Sequence, residues 1–164
     1  MTNELLYFAK MHKDARIPTK TEANAGRDVY ALFDEDEVTI KVGEIKMFKT
    51  GIVSAFSSDY YIQLEERGST GSKGLSLKCG VIDSNFRGQW HAPINNTSDR
   101  DIIISKKVDE TIVHPHAIYY PYSKGICQAV VLPVPKMNQI EISYEDIMKF
   151  ESDRGDNMLG STGK

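Results

Sequence analysis

The chain has 164 residues, of which 23 are acidic and 20 are basic, so its formal net charge is −3. This length suits one ordinary domain with a hydrophobic core, and the acidic balance argues against a protein that coats DNA or RNA through diffuse positive charge. No apolar run approaches the roughly 18 residues of a membrane span, and the first residues lack the apolar block of a secretion signal, so the cytoplasm is the expected compartment.

Short runs of β-branched and aromatic residues follow one another along the chain and are separated by turn-forming residues. In chain order, the predicted strands are 38–42, 52–56, 60–64, 102–104 and 129–132. Two short helices are predicted at 72–75 and 144–151, and residues 95–99 are predicted to form a surface loop. This pattern favours an all-β sandwich or barrel.

The tetrapeptide Gly-Ser-Thr-Gly occurs twice, at 68–71 and at 160–163, and each copy has basic neighbours. Glycines allow successive backbone N–H groups to turn toward one point, and hydroxyl groups add donors, so such a loop suits a phosphate. A flexible turn is the alternative for either copy taken singly. Neither copy has the residue order of a Walker A motif, which argues against a P-loop ATPase.

The segment 80–88, Gly-Val-Ile-Asp-Ser-Asn-Phe-Arg-Gly, predicts a strand that enters a tight hairpin turn. Asp83 is placed at the end of this strand, where its carboxylate can point into a pocket, and Phe86 is placed at the exit of the turn. The alternative is that Asp83 only bonds the amides of its own turn.

Cys79 and Cys127 are the only cysteines, and neither has histidines at the spacing of zinc ligands. A zinc site is therefore not expected. We expect both cysteines to be small hydrophobic residues buried in strands. A disulfide is less expected, because the sequence shows no export signal.

Composition changes near the C-terminus, where residues 139–157 contain six acidic residues and two basic ones. The final residues are rich in Gly and Ser. This composition suits a mobile arm, and a disordered tail is the alternative.

Five segments resemble, in order, the five motifs of the homotrimeric deoxyuridine triphosphatase (dUTPase) family. They are 25–29 (Ala-Gly-Arg-Asp-Val), 67–74 (Arg-Gly-Ser-Thr-Gly-Ser-Lys-Gly), 80–88, 125–128 (Gly-Ile-Cys-Gln) and 154–163. The resemblance spans about residues 20–164. It implies an all-β, jelly-roll-like β-barrel subunit at 1–150 that forms a homotrimer, and a C-terminal arm at 151–164 that completes a neighbouring site.

The resemblance implies Mg²⁺-dependent hydrolysis of dUTP to dUMP and pyrophosphate, which limits dUTP and supplies dUMP for thymidylate synthesis. Asp83 would be the general base for the water that attacks the α-phosphorus, and Asp28 would contact Mg²⁺ through water. The implied substrate-binding residues are Arg67, Gly68, Ser69, Gly80, Val81, Ile82, Phe86, His91, Gln128, Arg154, Leu159, Gly160, Ser161 and Thr162.

These residues divide by the part of dUTP that they would contact. Residues 80–82 would line the pocket for deoxyribose and uracil, Phe86 would lie beneath the sugar, and backbone groups near Trp90 and His91 would meet the uracil edge. The α- and β-phosphates would lie against residues 67–69 and Gln128. The γ-phosphate would be covered by Arg154 and residues 160–162.

The chain departs from the family pattern in four of the five motifs, and we expect activity to survive these departures. In the fifth motif, Asn157 and Met158 stand where the family has small residues. Gly68 stands where the family usually has Ser, and Phe86 stands in place of Tyr. Gly125 replaces the usual Arg of the fourth motif, and Leu159 replaces the aromatic residue that stacks on uracil.

The connection between the third and fourth motifs is longer than the family minimum, and we predict an insertion at about 100–122. Some phage-encoded members carry insertions here, so the resemblance extends to a phage-encoded protein that acts in the host cytoplasm and to a regulatory protein partner of the insertion. Two alternative functions stay open, a dCTP deaminase of the same fold and a catalytically weak regulatory module that binds a protein through the insertion.

Overall fold

The computed structural model of the chain describes residues 5–152 and residue 155. It divides the chain into two units, Met1–Val134 and Pro135–Lys164, which we call the β unit and the C-terminal unit. The division follows Val134 rather than residue 150, the boundary that the sequence predicts. Among the described residues, no helix has the length and apolar character needed to cross a bilayer.

The β unit is built from short strands and one helical turn, as the all-β prediction required. Its strands are β1 (Tyr7–Lys10), β2 (Gly26–Val29), β3 (Glu37–Ile40), β4 (Ile45–Lys49), β5 (Ile52–Ala55), β6 (Tyr60–Glu65), β7 (Leu75–Leu77), β8 (Val81–Ile82), β9 (His91–Asn96), β10 (Asp101–Ser105), β11 (Ile112–Val113), β12 (Ala117–Pro121) and β13 (Cys127–Pro133). The helical turn α1 (Gly68–Gly71) lies between β6 and β7.

Four small sheets result from the pairing of these strands. Their strand orders are β1-β5, β11-β12-β10-β3, β2-β13-β6-β8 and β4-β9-β7. Strands distant in sequence are therefore neighbours, as in a sandwich or barrel with Greek-key connections. The sheet that contains β2, β13, β6 and β8 carries Asp28, Gln128, Val81 and Ile82 of the predicted site.

The core is apolar and is closed by a few satisfied polar groups. Trp90 and Tyr120 are its largest fully buried side chains. The indole Nε1–H of Trp90 donates to the Ser54 hydroxyl at 3.2 Å, so its buried polar atom has a partner. Asn96 is also fully buried, and its amide nitrogen donates to the carbonyl oxygens of Ile40 and Arg100, both at 2.9 Å.

All five predicted strands are present, but two local predictions are wrong. The helical turn spans Gly68–Gly71 rather than 72–75, and Leu75 begins β7 with its side chain buried. The segment 95–99 is only partly a loop, because Asn95 and Asn96 end strand β9. In both places the requirement for pairing outweighs the local preference for a turn or helix.

The stretch predicted as an insertion at 100–122 supplies three strands of the β unit, the longer β10 and β12 and the short β11. β10 pairs with β12 in parallel from Asp101↔Ala117 to Ser105↔Pro121. Ile102, Ile104, Ile118 and Tyr120 from these strands are buried. Residues 106–116 connect the two strands and include the short hairpin strand β11, whose Ile112 and Val113 are exposed.

In the C-terminal unit, the described residues form one helical turn, α2 (Tyr144–Ile147). The Ser143 hydroxyl caps this turn by accepting a hydrogen bond from the Asp146 N–H at 3.0 Å. The predicted helix at 144–151 is confirmed at its start and is shorter than expected.

Candidate active site

A polar cleft of about 750 Å³ lies beside strands β2 and β13 and helical turn α1. It is lined by Thr19, Lys20, Thr21, Ala23, Asn24, Ala25, Gly26, Asp28, Arg67, Gly68, Ser69 and Gln128. Five of the predicted site residues therefore share one cleft. The loop before β2 also lines it and is not predicted from the sequence, because its residues before Ala25 carry no motif of their own; they are Thr19, Lys20, Thr21, Ala23 and Asn24.

Asp28 and Gln128 are brought together by strand pairing. They face each other across β2 and β13, and Gln128 also faces Glu65 of β6. Directly paired residues place their side chains on the same face of a sheet, with Cβ atoms about 5 Å apart. The register alone thus sets a carboxylate beside a side-chain amide at the edge of the polar cleft.

The Gln128 side chain lies over Gly26, and a larger residue at position 26 would displace its amide group. A Cβ atom at position 26 would be 2.2 Å from the Gln128 Oε1 atom. The Gln128 amide nitrogen donates to the Glu66 carbonyl oxygen at 2.8 Å, which fixes the orientation of the amide. The glycine of the first motif therefore has a packing reason in this chain.

Arg67 holds Asp28 with two parallel contacts. Its Nε lies 2.8 Å from the Asp28 Oδ1, and its Nη2 donates to the Oδ2 at 3.1 Å. The Nη1 donates to the Gly125 carbonyl oxygen at 2.8 Å and to the Tyr120 hydroxyl at 3.1 Å. Of the five guanidinium N–H groups, four thus have partners among the described residues, which leaves one N–H on Nη2 for a phosphate.

The first Gly-Ser-Thr-Gly segment is a helical turn rather than an open glycine-rich loop. The buried Thr70 hydroxyl accepts from the Arg67 N–H at 3.1 Å and donates to the Arg67 carbonyl oxygen at 2.9 Å. Thr70 therefore closes the turn on itself, and Gly68 and Ser69 remain at the cleft. The ammonium of Lys73 donates to the Ser69 carbonyl oxygen at 3.2 Å.

A second, more apolar cleft of about 270 Å³ contains the third-motif residues. We call it the hairpin cleft, and it is lined by Met47, Cys79, Val81, Ile82, Asp83, Phe86, Gln89, His91 and Pro93. Asp83 directly follows β8, and its carbonyl oxygen accepts from the Phe86 N–H at 3.1 Å, which closes the predicted tight turn. Gly80 precedes β8, and its carbonyl oxygen accepts from the Leu64 N–H at 2.6 Å.

The Asp83 carboxylate is exposed and makes no hydrogen bond to another described residue. Among the described residues, the Asp83 carboxylate therefore does not bond the amides of its own turn, which was the alternative to a catalytic role. Such a carboxylate is free to accept a proton from a water molecule at the rim of the hairpin cleft.

The tip of the Phe86 ring lies against Gly88. Atoms of its ring would be 2.4 to 3.3 Å from a Cβ atom at position 88, so only glycine allows this contact. The ring is 42% exposed and lines the hairpin cleft. It can support a planar or puckered ring of a ligand by packing alone.

The backbone N–H and carbonyl oxygen of Trp90 are both used within the fold, so other backbone groups near His91 would have to meet a base. Its N–H donates to the Ile52 carbonyl oxygen at 3.0 Å, and its own carbonyl oxygen accepts from the Thr50 N–H and hydroxyl. His91 does line the hairpin cleft, and its Nδ1 lies 3.0 Å from the Gln89 carbonyl oxygen.

The two cysteines have different environments. Cys127 is buried in β13, which raises the pKa of its thiol to about 12. Cys79 is exposed, lies outside the strands and lines the hairpin cleft, so its predicted burial is wrong. Partial desolvation also raises the pKa of Cys79.

Within one chain, the two clefts are well separated. Asp28 lies on β2 and Asp83 directly follows β8, so three strand spacings separate them in the order β2-β13-β6-β8. Along β6, Asp28 is level with Glu65 and Asp83 is level with Tyr61, which is an offset of four residues. With about 4.8 Å between strands and about 3.4 Å per residue, the two α-carbons are roughly 20 Å apart. Both carboxylates of one chain cannot contact the same phosphate group.

The chemistry of Asp28 fits an indirect role toward a metal ion. No group of three or more His, Cys, Asp or Glu side chains among the described residues could hold a metal. Asp28 is a single carboxylate, and each of its oxygens keeps a lone pair after binding Arg67. Such a group suits contact through water with a Mg²⁺ ion that keeps phosphate and water ligands.

Five predicted site residues lie outside the described residues. They are Arg154, Leu159, Gly160, Ser161 and Thr162. Their contacts with a substrate stay predictions.

Comparison with known proteins gives one consistent family. A family model described as dUTPase matches residues 13–109. The chain is 29% identical to the deoxyuridine 5'-triphosphate nucleotidohydrolase of Nautilia profundicola over 97% of this chain and 99% of that protein. It is 30% identical to the protein of the same name from Finegoldia magna over 87% of each.

Solved structures show the same fold. The dUTPase of Staphylococcus bacteriophage 80alpha with dUPNHPP superposes with a TM-score of 0.73 at 23% identity, over 99% of this chain and all of the other. The dUTPase of phage phi11 of S. aureus, described for its species-specific insert, gives a TM-score of 0.64 at 19% identity over 85% of this chain and 98% of the other.

Proposed function

Because the chain belongs to the dUTPase family, we propose that it hydrolyses dUTP to dUMP and pyrophosphate. One observation carries the proposal beyond family membership. The chain offers a polar cleft with Asp28, Arg67, Ser69 and Gln128, which suits a triphosphate, and a hairpin cleft with a free carboxylate at its rim, which suits a nucleoside and an attacking water.

Asp83 is the proposed general base. Its carboxylate would accept a proton from the water that attacks the α-phosphorus, and it would hold that water in line with the bond to the leaving pyrophosphate. Asp83 directly follows a short strand, and its carbonyl oxygen closes the tight turn, so its backbone is held at the rim of the hairpin cleft. Val81 and Ile82 would line the sugar and base beside it.

Phe86 is the proposed reason for choosing deoxyribose. Its ring is held against Gly88 and cannot retreat toward the backbone, so a ribose 2′-hydroxyl would meet the ring instead of empty space. The base itself would be selected by backbone groups near His91, because an unmatched buried donor or acceptor on cytosine would cost binding free energy.

The phosphates would occupy the polar cleft. The amide oxygen of Gln128, the Ser69 hydroxyl and the remaining Nη2–H of Arg67 are the groups that face it. Bound Mg²⁺ would offset phosphate charge and align the triphosphate, and Asp28 would hold one of its water ligands. Arg154 and residues 159–162 would then cover the γ-phosphate and the base.

A complete site would need more than one copy of the chain. The separation of roughly 20 Å between Asp28 and Asp83 supports this, since a neighbouring subunit must bring the second carboxylate. We propose a homotrimer with an arm lent to a neighbouring site. The described β unit also exposes large apolar side chains that an interface could cover, among them Leu5, Tyr7, Met11, Val42, Ile45, Met47, Val81 and Val131.

The proposed setting is the cytoplasm, where hydrolysis would limit dUTP and provide dUMP for thymidylate synthesis. A regulatory protein partner of the stretch 100–122 stays part of the proposal, and its exposed portion is the connection at 106–116.

The function is tested by measuring pyrophosphate release from each dNTP and from UTP, with and without Mg²⁺. We expect release from dUTP with Mg²⁺ and at least about a hundredfold lower kcat/KM for dCTP, dTTP and UTP. Ammonia release from dCTP would replace the proposal with a deaminase. Absence of turnover with every nucleotide would favour the regulatory module.

Protection of Cys79 tests the position of the nucleoside. At pH 8, a thiol reagent should modify exposed Cys79 and spare buried Cys127, whose raised pKa also keeps it protonated. The non-hydrolysable analogue dUpNHpp with Mg²⁺ should then slow modification of Cys79 by at least about fivefold. Peptide mass mapping identifies the labelled residue, and inorganic triphosphate is the matched control. If the rate of Cys79 modification stays the same with saturating analogue, the nucleoside does not bind in the hairpin cleft.

A further inference from the structure

We propose that Tyr120 is a positioning residue of the active site, whose buried hydroxyl fixes the Arg67 guanidinium and thereby holds the Asp28 carboxylate at the polar cleft. This role rests on the proposed function, in which Asp28 contacts the metal-bound triphosphate. Tyr120 belongs to β12, within the stretch that the sequence analysis treated as an insertion. Tyr120 lies outside the five motifs, so the motifs do not predict its role.

The first part of the arrangement is a closed set of three hydrogen bonds. The Tyr120 hydroxyl donates to the Gly125 carbonyl oxygen at 2.8 Å and accepts from Arg67 Nη1 at 3.1 Å. The same Nη1 donates to the Gly125 carbonyl oxygen at 2.8 Å. A hydroxyl can donate and accept at once, so Tyr120 joins the cation and the carbonyl in a way that phenylalanine cannot.

The hydroxyl is well protected. Tyr120 is fully buried, and burial raises the pKa of its hydroxyl, with the charge of Arg67 acting in the opposite direction. The group therefore stays a hydrogen-bond donor at neutral pH.

The second part of the arrangement carries the effect to Asp28. The other edge of the guanidinium grips both carboxylate oxygens at 2.8 and 3.1 Å, and such a planar two-point contact fixes the plane of the carboxylate. Gly125 leaves room for it, because a Cβ atom there would be 3.0 Å from the Asp28 Cβ. Without the Tyr120 hydroxyl, Arg67 keeps one anchor on that side and can tilt.

The proposal predicts a specific defect in Tyr120→Phe. Equilibrium binding of dUpNHpp in the presence of Mg²⁺ should weaken about fivefold, the loss expected for one hydrogen bond. Binding in EDTA should change less than twofold, since Asp28 acts only toward the metal-bound form. The Mg²⁺ concentration for half-maximal hydrolysis and the KM for dUTP should rise in parallel, and kcat should change less than either.

Tyr122→Phe is the matched control. It removes a hydroxyl two residues away that makes no hydrogen bond within the described part of the chain, and its ring packs on Phe33. It should leave binding and the Mg²⁺ requirement unchanged. In an Asp28→Asn background, Tyr120→Phe should have no further effect on Mg²⁺-dependent binding, because the group that it positions has already been changed.

Circular dichroism and thermal unfolding show whether Tyr120→Phe folds. If it does not, Arg67→Lys serves as the second variant, because a lysine cannot hold Asp28 and Gly125 together. It should weaken dUpNHpp binding more with Mg²⁺ than in EDTA, where only the direct phosphate contact of Arg67 is lost. A folded variant with wild-type binding and only a lower Tm would make Tyr120 a packing residue and overturn the proposal. A wild-type protein that binds no dUpNHpp would instead overturn the proposed function, and this role with it.

Discussion

Replacing Asp83 by asparagine should lower the kcat for dUTP by about a thousandfold and leave the affinity for dUpNHpp within about threefold of wild type. The reason is that the amide has nearly the shape of the carboxylate but cannot take a proton from water, and a positioned general base contributes roughly 10²–10⁴-fold to a rate. Asp83 makes no hydrogen bond to another described residue, so the substitution should not disturb the fold.

The measurement is single-turnover hydrolysis together with calorimetric titration of dUpNHpp. Asp109→Asn is the matched control, since it makes the same change of charge at an exposed carboxylate of the connection 106–116. It should be as active as wild type. Wild-type turnover in Asp83→Asn would show that Asp83 is not the general base. A large loss of affinity for dUpNHpp would show that Asp83 acts in binding instead.

Mixing two inactive variants should restore activity, because the proposed site takes Asp28 from one subunit and Asp83 from another. Asp28→Ala and Asp83→Asn proteins, combined one to one and reassembled after mild denaturation, should regain about one quarter of wild-type activity. That fraction follows because a site is intact when one subunit supplies Asp28, a chance of one half, and its neighbour supplies Asp83, again one half.

Each variant reassembled alone is the control and should stay inactive. Size-exclusion chromatography with light scattering verifies that the mixed assembly has the wild-type mass. A mixture with no regained activity, at the wild-type mass, would place both carboxylates in the same chain and contradict the site shared between subunits. It would also conflict with the separation of roughly 20 Å that the strand register gives.

Some features of the site could be predicted because they depend on local signals. The strand, the tight turn and the positions of Asp83 and Phe86 all follow from nine consecutive residues, and a tight turn is set by the residues within it. The central strands were likewise visible as short β-branched runs. The helical turn was misplaced because four residues carry too little propensity to define a helix, and the Thr70 hydroxyl decides where it closes.

Other features depend on which strands are neighbours. Nothing near Tyr120 in the sequence indicates that its hydroxyl meets Arg67, 53 positions earlier. That contact exists because β12 pairs in parallel with β10, deep inside a stretch that resembled an insertion. Exposure of Cys79 in the hairpin cleft and burial of Asn96 were missed for the same reason, since both depend on neighbours far along the chain.

The sequence by itself determined an all-β subunit, the dUTPase motifs and the residue types that suit phosphate and base chemistry. An acidic chain of net charge −3 already argued against a polyanion-coating role, and the basic groups that matter are few and specific. Only the tertiary structure decided how those groups are used: Arg67 is largely committed to Asp28, Tyr120 and Gly125, and Asp28 and Asp83 lie in separate clefts. The physical reason is that composition and short motifs fix local chemistry, whereas strand order and register fix distance.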